Sequence, residues 1–337
     1  MAGAGSRRRA DAARALGSVL RVSTEVADAL ASGEPVVALE STLVTHGLPY
    51  PTNVEVAEAA EAAVRAVGAV PATVAVVDGC LRVGLDDASM EQLASLGDVD
   101  KVSRRSLAAA LASRRWGGTT VSATMIAADA SGIEVFATGG IGGIHRDHPI
   151  DVSADLEELA RTAVAVVCAG PKAILDIPAT LEYLETHGVP VVTLEATNVP
   201  AFYSRSSGVA SPIVARDVPD LARIARLHLD LLGGGVLACV PIPLADEIPR
   251  DEVESAVDAA VAEAAAAGIR GPVLTPWLLA RLAEATDGRS VRANTTLIVN
   301  NARVAGLLAA ELVGTTEPVG TTEPVGTAEL AGTTGRL

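Results

Sequence analysis

The sequence predicts an α/β fold, a three-layer α/β/α sandwich with a mostly parallel central sheet and a helical C-terminal part. Three observations point there. The strand-like segments are continuous apolar runs rather than alternating ones, as in strands buried on both faces. Helical stretches with recognisable ends separate them. Roughly the last hundred residues of the core turn helical in pattern. The chain has 337 residues, 49% of them hydrophobic, ample for one large core. Aromatics are only 2%, so small aliphatic side chains must fill it.

Residues 1–20 are rich in alanine and arginine without turn chemistry and read as a frayed helix or disordered arm. One catalytic domain is expected over residues 21–312. Its strand-like runs are Val36–Leu39, Ala72–Val77, Ile133–Thr138, Ala163–Ala169, Val189–Leu194 and Val236–Val240. Asn53 is the expected N-cap of a helix closed by Gly68, and Gly188 closes a helix over Pro178–His187. Helices follow at Asp251–Ala267, Leu274–Thr286 and Ser290–Leu312. Residues 313–337 hold a six-residue repeat, Val-Gly-Thr-Thr-Glu-Pro, too polar and too rich in proline and glycine for a core. They read as a disordered tail.

Composition narrows the function. A net charge of −15 argues against nucleic-acid and membrane-surface partners, while a small phosphorylated ligand needs only local positive charge. The uncharged segment Leu231–Ala245 is too short and too broken by glycine and proline to span a bilayer. No signal-peptide pattern follows Arg7–Arg9. Cys80, Cys168 and Cys239 each sit in an apolar run and read as buried thiols of a reducing compartment, so a cytoplasmic protein is expected. Neither the dinucleotide-binding glycine pattern after a strand nor a P-loop occurs.

Of the 26 basic residues only Lys101 and Lys172 are lysines. An amine can lose its proton and act as a nucleophile, whereas a guanidinium stays charged. Chance survival of two surface lysines is the alternative. Lys172 follows the run Ala163–Ala169 through Gly170 and Pro171, where an amine loses hydration as Schiff-base chemistry requires. Glu40 stands at the carboxyl end of Val36–Leu39, half desolvated and suited to general-acid work, or else to capping a helix. Lys101 lies beside Arg104 and Arg105, a cluster that can hold a phosphate monoester or be a solvated face.

Gly117-Gly-Thr-Thr before a helix offers free backbone N–H groups, although N-capping by Thr119 explains the same residues. Four glycines within Gly139–Gly143 allow close approach of backbone to ligand. Asp151 and Asp155 can offer oxygens to a hard divalent ion with water completing its shell, or can simply favour the start of a helix capped by Ser153. His46, His145 and His148 lack ligand spacing, and His187 and His228 read as helix-surface residues.

These blocks come in a specific order: Ala38–Thr42, His46–Asn53, Gly68–Thr73, Lys101–Arg105, Phe136–Arg146, Asp151–Asp155, Val167–Lys172, Pro200–Gly208 and Asn300–Arg303. In that order the chain resembles the pseudouridine-5′-phosphate glycosidase family, also called indigoidine synthase A-like, over nearly all of residues 25–312. The resemblance implies reversible cleavage of pseudouridine 5′-phosphate to uracil and ribose 5-phosphate by a manganese-dependent homotrimer with a three-layer fold. The family's nucleophile falls on Lys172, its proton donor on Glu40 and its metal-binding aspartate on Asp151. Its substrate contacts fall on Lys101, Val121, Ser153, Ala154 and Asp155, and Asn294 is expected to face the pocket. The chain departs from the pattern at Pro171 and in a loop between Arg146 and Asp151 that is two residues shorter than the family's. Two rival readings stand beside this one: a Schiff-base lyase acting on another sugar phosphate, and a non-catalytic accessory protein of pigment biosynthesis.

Overall fold

A computed structural model describes residues 17–146, 148–269 and 274–314; residues 1–16 of the arm and 315–337 of the tail lie outside them. The first half of the fold contains β1 (Leu20–Val22), α1 (Thr24–Ser32), β2 (Val36–Leu39), a π-helical turn at Leu43–Gly47 and α2 (Thr52–Arg65). It continues through β3 (Val70–Val77), β4 (Cys80–Val83), α3 (Asp87–Ser95), β5 (Asp100–Val102), α4 (Arg104–Ser113), β6 (Gly117–Thr119) and α5 (Val121–Ser131). Next come β7 (Val135–Ala137), β8 (Ile144–His145), β9 (His148–Val152), α6 (Ala154–Leu159), β10 (Ala165–Cys168), β11 (Leu175–Asp176) and α7 (Ile177–Thr186). The last part is β12 (Val191–Leu194), β13 (Ile213–Ala215), α8 (Val218–Leu232), β14 (Val236–Cys239), α9 (Arg250–Ala266), α10 (Leu274–Ala285) and α11 (Arg289–Gly314).

The main sheet runs β1-β4-β3-β2-β7-β10-β14-β12-β13, with β6 beside β3 and β5 beside β6. From β3 to β13 every pairing along that path is parallel. The hairpin strand β4 and strand β6 run antiparallel to β3. Strands β11, β8 and β9 form a small antiparallel sheet of their own.

Neighbouring residues of a strand point to opposite faces, and the two faces carry two cores. Val37, Leu39, Val135, Ala137 and Val167 pack with α2, α8, α9 and α11. Val36, Ala38, Phe136, Val166 and Cys168 pack with α1, α5, α6 and α7. Helices on both faces explain why the strands read as unbroken apolar runs, and the three layers expected from the sequence are present.

Several local expectations are corrected. α2 begins at Thr52, with Pro51 before it, so Asn53 is not its cap. Asn53 is instead buried, its Nδ2 donating to the Val44 carbonyl at 2.6 Å and so holding the π-helical turn. Gly117 and Gly118 belong to strand β6, paired with β3 and β5, rather than to a helix start, and a Cβ at either would run into Val102 or Thr45. Thr119 does not cap α5; its hydroxyl donates to the Val74 carbonyl at 2.7 Å within the sheet. Cys80 is only half-buried, and His228, half-buried on α8, has a buried Nε2 with no hydrogen-bond partner among the described residues. By length and composition α11 would suffice to cross a bilayer, an exception to the sequence reading, but its apolar side chains form core with α2 and the sheet.

Candidate active site

The chain reverses its direction of growth between β2 and β7. From β2 the sheet extends through β3 to one edge, and from β7 through β10 to the other. Such a switch leaves a crevice at the carboxyl ends of the two strands. A cavity of about 540 Å³ opens there, and Glu40 after β2, Thr138 after β7 and Lys172 after β10 all line it.

Glu40 is held at both oxygens. The Thr42 hydroxyl donates to Oε2 and the Thr138 hydroxyl to Oε1. Thr138 is fixed in turn from α11, where the buried Asn301 donates Nδ2 to the Thr138 carbonyl at 2.9 Å.

Lys172 sits beyond a tight turn. Gly170 has φ +85°, and a Cβ there would press on the Pro200 carbonyl. Ile141 N–H donates to Gly170 O at 3.2 Å and Lys172 N–H donates to Ile141 O at 3.1 Å. That parallel bridge asks nothing of the nitrogen of Pro171, so proline costs the turn no hydrogen bond. The Lys172 side chain is half-buried and has no hydrogen-bond or ion-pair partner among the described residues.

Lys101 approaches from β5. Its surface is open at the pocket mouth, yet the protein around its ammonium and then the Lys172 charge hold its pKa below the usual lysine value. Glu40 and Asp155 pull in the opposite direction, so Lys101 feels three other charged groups in this cavity. His46 also lines it; burial, then Lys101, pushes the imidazole pKa down and favours the neutral ring, whose Nδ1 pairs with the Thr45 hydroxyl at 2.6 Å.

The basic cluster expected beside Lys101 divides. Arg105 lines the cavity. Arg104 does not: its Nε and Nη2 take both oxygens of the fully buried Glu158, Nη2 at 2.7 Å, and the Thr162 hydroxyl donates to the same carboxylate. This pair ties α4 to α6, and hence the Lys101 strand to the segment Asp151–Asp155.

That segment lines the cavity throughout. Ser153 Oγ accepts from Asp155 N–H at 3.3 Å and caps α6. The buried Asp155 accepts from Ser122 N–H at 3.1 Å and from Gly142 N–H at 2.9 Å, which ties the glycine loop to the first turn of α5. Its two oxygens are thus engaged, and of the two aspartates considered for a metal Asp151 is the one with an open carboxylate. Asp151 is exposed at the end of β9 and has no partner among the described residues. Val121 and Ala154 open α5 and α6, whose first-turn N–H groups have no acceptor within their own helix.

No three His, Cys, Asp or Glu side chains converge among the described residues. A closed protein cage is absent there, and the donor set fits a hard ion bound by one carboxylate plus water and substrate oxygens. His145 lines the cavity as well, whereas the side chain of His148 lies outside the described residues. Asn294 and Ile298 of α11 supply another wall, with Phe202 and Ile174. Sequence reasoning missed Thr42, Thr138 and Phe202. A polar residue at the end of an apolar strand was the available signal for Thr138; the other two had none.

The family model for indigoidine synthase A like protein matches residues 25–311. The chain belongs to this family. Among its curated relatives is the pseudouridine-5′-phosphate glycosidase of Solibacter usitatus, 52% identical over 296 residues that cover 87% of this chain and 99% of the relative. The enzyme of the same name from Methylobacterium nodulans is 54% identical over 88% of this chain and 89% of its own. In three dimensions this family member resembles the prealnumycin C-glycosynthase AlnA, whose crystal structure holds ribulose 5-phosphate. The TM-score is 0.82 at 41% identity, over 88% of this chain and 97% of that one. An indigoidine synthase A-like protein of Thermotoga maritima gives 0.80 at 32% identity over 88% and 97% of the two chains.

Proposed function

We propose that this protein is a pseudouridine-5′-phosphate glycosidase, cleaving the C–C bond between ribose and uracil to give uracil and ribose 5-phosphate. The observation that carries the reading is the meeting of an unpaired, half-buried lysine, a carboxylate gripped by two hydroxyls and a cationic mouth in one cavity. Close relatives under that name support the substrate. Two carboxylates suffice for an ordinary glycoside, whose leaving group departs through oxygen or nitrogen. A uracil carbanion leaves far less readily, and an amine offers another route.

In that route the ribose ring opens as the C1′–O4′ bond breaks and O4′ gains a proton, and the Lys172 amine bonds to C1′. Glu40 is placed to move the protons of ring opening. Once uracil C5 is protonated, the C1′–C5 bond breaks, uracil leaves and an imine to Lys172 remains. Water hydrolyses it to ribose 5-phosphate and the free amine. Lys101 and Arg105, with the Val121 N–H that opens α5, face the phosphate. Asp151 would hold Mn²⁺ with water, and the ion would supply positive charge against the bound anion. The protein is further proposed to act as a cytoplasmic homotrimer. Its three free cysteines suit a reducing compartment, and Ile213, Val214, Leu231 and Leu232 leave an apolar edge at β13 and α8 for a neighbour.

The test is release of uracil and ribose 5-phosphate by the purified protein with Mn²⁺. Lys172→Ala is expected to abolish release, and the adduct trapped by borohydride, while its unfolding midpoint stays put. Full turnover in that variant would remove Lys172 from the mechanism.

A further inference from the structure

We propose that Arg146 is a positioning residue for the nucleophile, an inference that rests on the role given to Lys172 above. Arg146 closes the glycine-rich segment that begins at Gly139, directly after β8. Strand β8 pairs antiparallel with β11, His145 opposite Leu175. Lys172 through Leu175 form a turn in which Leu175 N–H donates to the Lys172 carbonyl at 3.0 Å. The Arg146 guanidinium grips this turn from behind. Its Nη2 donates to the Ala173 carbonyl at 3.2 Å and its Nε to the Leu175 carbonyl at 3.3 Å, while Nη1 reaches Asp258 of α9 at 3.2 Å.

Arg146 does not line the catalytic cavity. It lines a separate one of about 270 Å³ on the far side of the same turn, so it acts through the backbone that carries Lys172 rather than on substrate. A rigid planar fork can hold two carbonyls at once, and an ammonium cannot reproduce that geometry. The requirement is unusual here, because one Nζ must attack C1′, remain bonded through C–C cleavage and then leave by hydrolysis. A misplacement of about 1 Å at such an atom costs about 100-fold. The Asp258 contact is peripheral, since that carboxylate is 73% exposed.

The experiment compares Arg146→Lys, Arg146→Ala and Asp258→Ala by steady-state kinetics, by the rate of borohydride trapping with ribose 5-phosphate, and by circular dichroism. Arg146→Lys is expected to lose about 10- to 100-fold in kcat, with KM little changed and trapping slowed by the same factor. Asp258→Ala should turn over like the parent. A wild-type kcat in Arg146→Lys overturns the proposal. So does a raised KM at constant kcat, which would place Arg146 on substrate, and so does a loss that vanishes when rates are scaled to the folded fraction. Should Arg146→Ala fail to fold, the lysine variant decides alone. A parent enzyme that forms the sugar-phosphate adduct but releases no uracil would sink the substrate reading and leave the trapping comparison able to judge Arg146.

Discussion

Removing Arg104 should uncover a buried charge. Glu158 is fully buried, and Arg104 supplies donors to both of its oxygens while Thr162 supplies one more. In Arg104→Ala the carboxylate keeps only that hydroxyl. Breaking a buried pair from one side costs 3–5 kcal/mol as a rule; with Arg104 itself 45% exposed the lower end, about 3 kcal/mol, applies. At roughly 2–3 °C per kcal/mol for a domain of this size, the melting midpoint should fall by about 6–9 °C. Replacing both partners, Arg104→Met with Glu158→Leu, should recover most of the loss, because no charge then lies unpaired. Differential scanning calorimetry of Arg104→Met, Glu158→Leu and the double completes the cycle. A shift under about 2 °C for Arg104→Ala, or a double variant worse than the sum of the singles, would refute the reasoning. Arg104 would then be free to serve the phosphate after all.

Thr138→Val removes one of the two hydroxyls on Glu40 at nearly constant volume. A hydrogen bond to a charged group is worth about 1.5–3 kcal/mol, so kcat should fall about 10-fold or more with the fold intact, as stopped assays of uracil release can show. The lowered pKa of Lys101 makes binding pH-dependent. As pH rises, this ammonium loses its proton before an ordinary lysine would, so KM for the phosphorylated substrate should climb on the alkaline side. Lys101→Arg should move that limb to higher pH, and an unmoved limb would show another group to be responsible. The same group affects stability with the opposite sign: its folded pKa lies below the unfolded one, so the unfolded state holds more protons and its contribution to stability grows as pH rises through that interval. Asp151→Ala should weaken Mn²⁺ binding, read from the electron paramagnetic resonance signal of the free ion, without lowering the melting midpoint of the metal-free protein.

Much of the sheet was legible because strands covered on both faces leave no alternation to interpret. The six expected runs contain β2, much of β3, and β7, β10, β12 and β14, which form the centre of the sheet. The strands that escaped notice are short or atypical. β5, β6 and β13 have three residues each, and β6 is Gly-Gly-Thr, whose small residues are dictated by Thr45 and Val102 rather than by strand propensity. At the site, Glu40 and Lys172 were visible from their place at strand ends. Asp155 was visible as an acid near a glycine loop, but its engagement by Gly142 and Ser122 was not, because those amides come from segments 13 and 33 residues away. Arg104 and Arg105 are neighbours in sequence with opposite fates, since adjacent residues on a helix point about 100° apart.

The scarcity of lysine acquires a physical meaning once the cavity is seen. Arginines on this protein largely face carboxylates: Arg65 with Glu25, Arg115 with Asp98, Arg226 with Glu134 and Asp230, Arg289 with Glu252. A planar fork suits those two-oxygen partners. Neither lysine has such a partner among the described residues, and both line the same cavity. Chance survival of two surface lysines gives no reason for that meeting. In the role proposed for it, Lys172 must spend part of each cycle without its proton, which a guanidinium cannot do. At Lys101 the reason is different: burial and then the Lys172 charge lower the pKa of this ammonium, a response that a guanidinium cannot give. On the proposed mechanism, the exclusion of arginine from this pair follows from proton chemistry rather than from size.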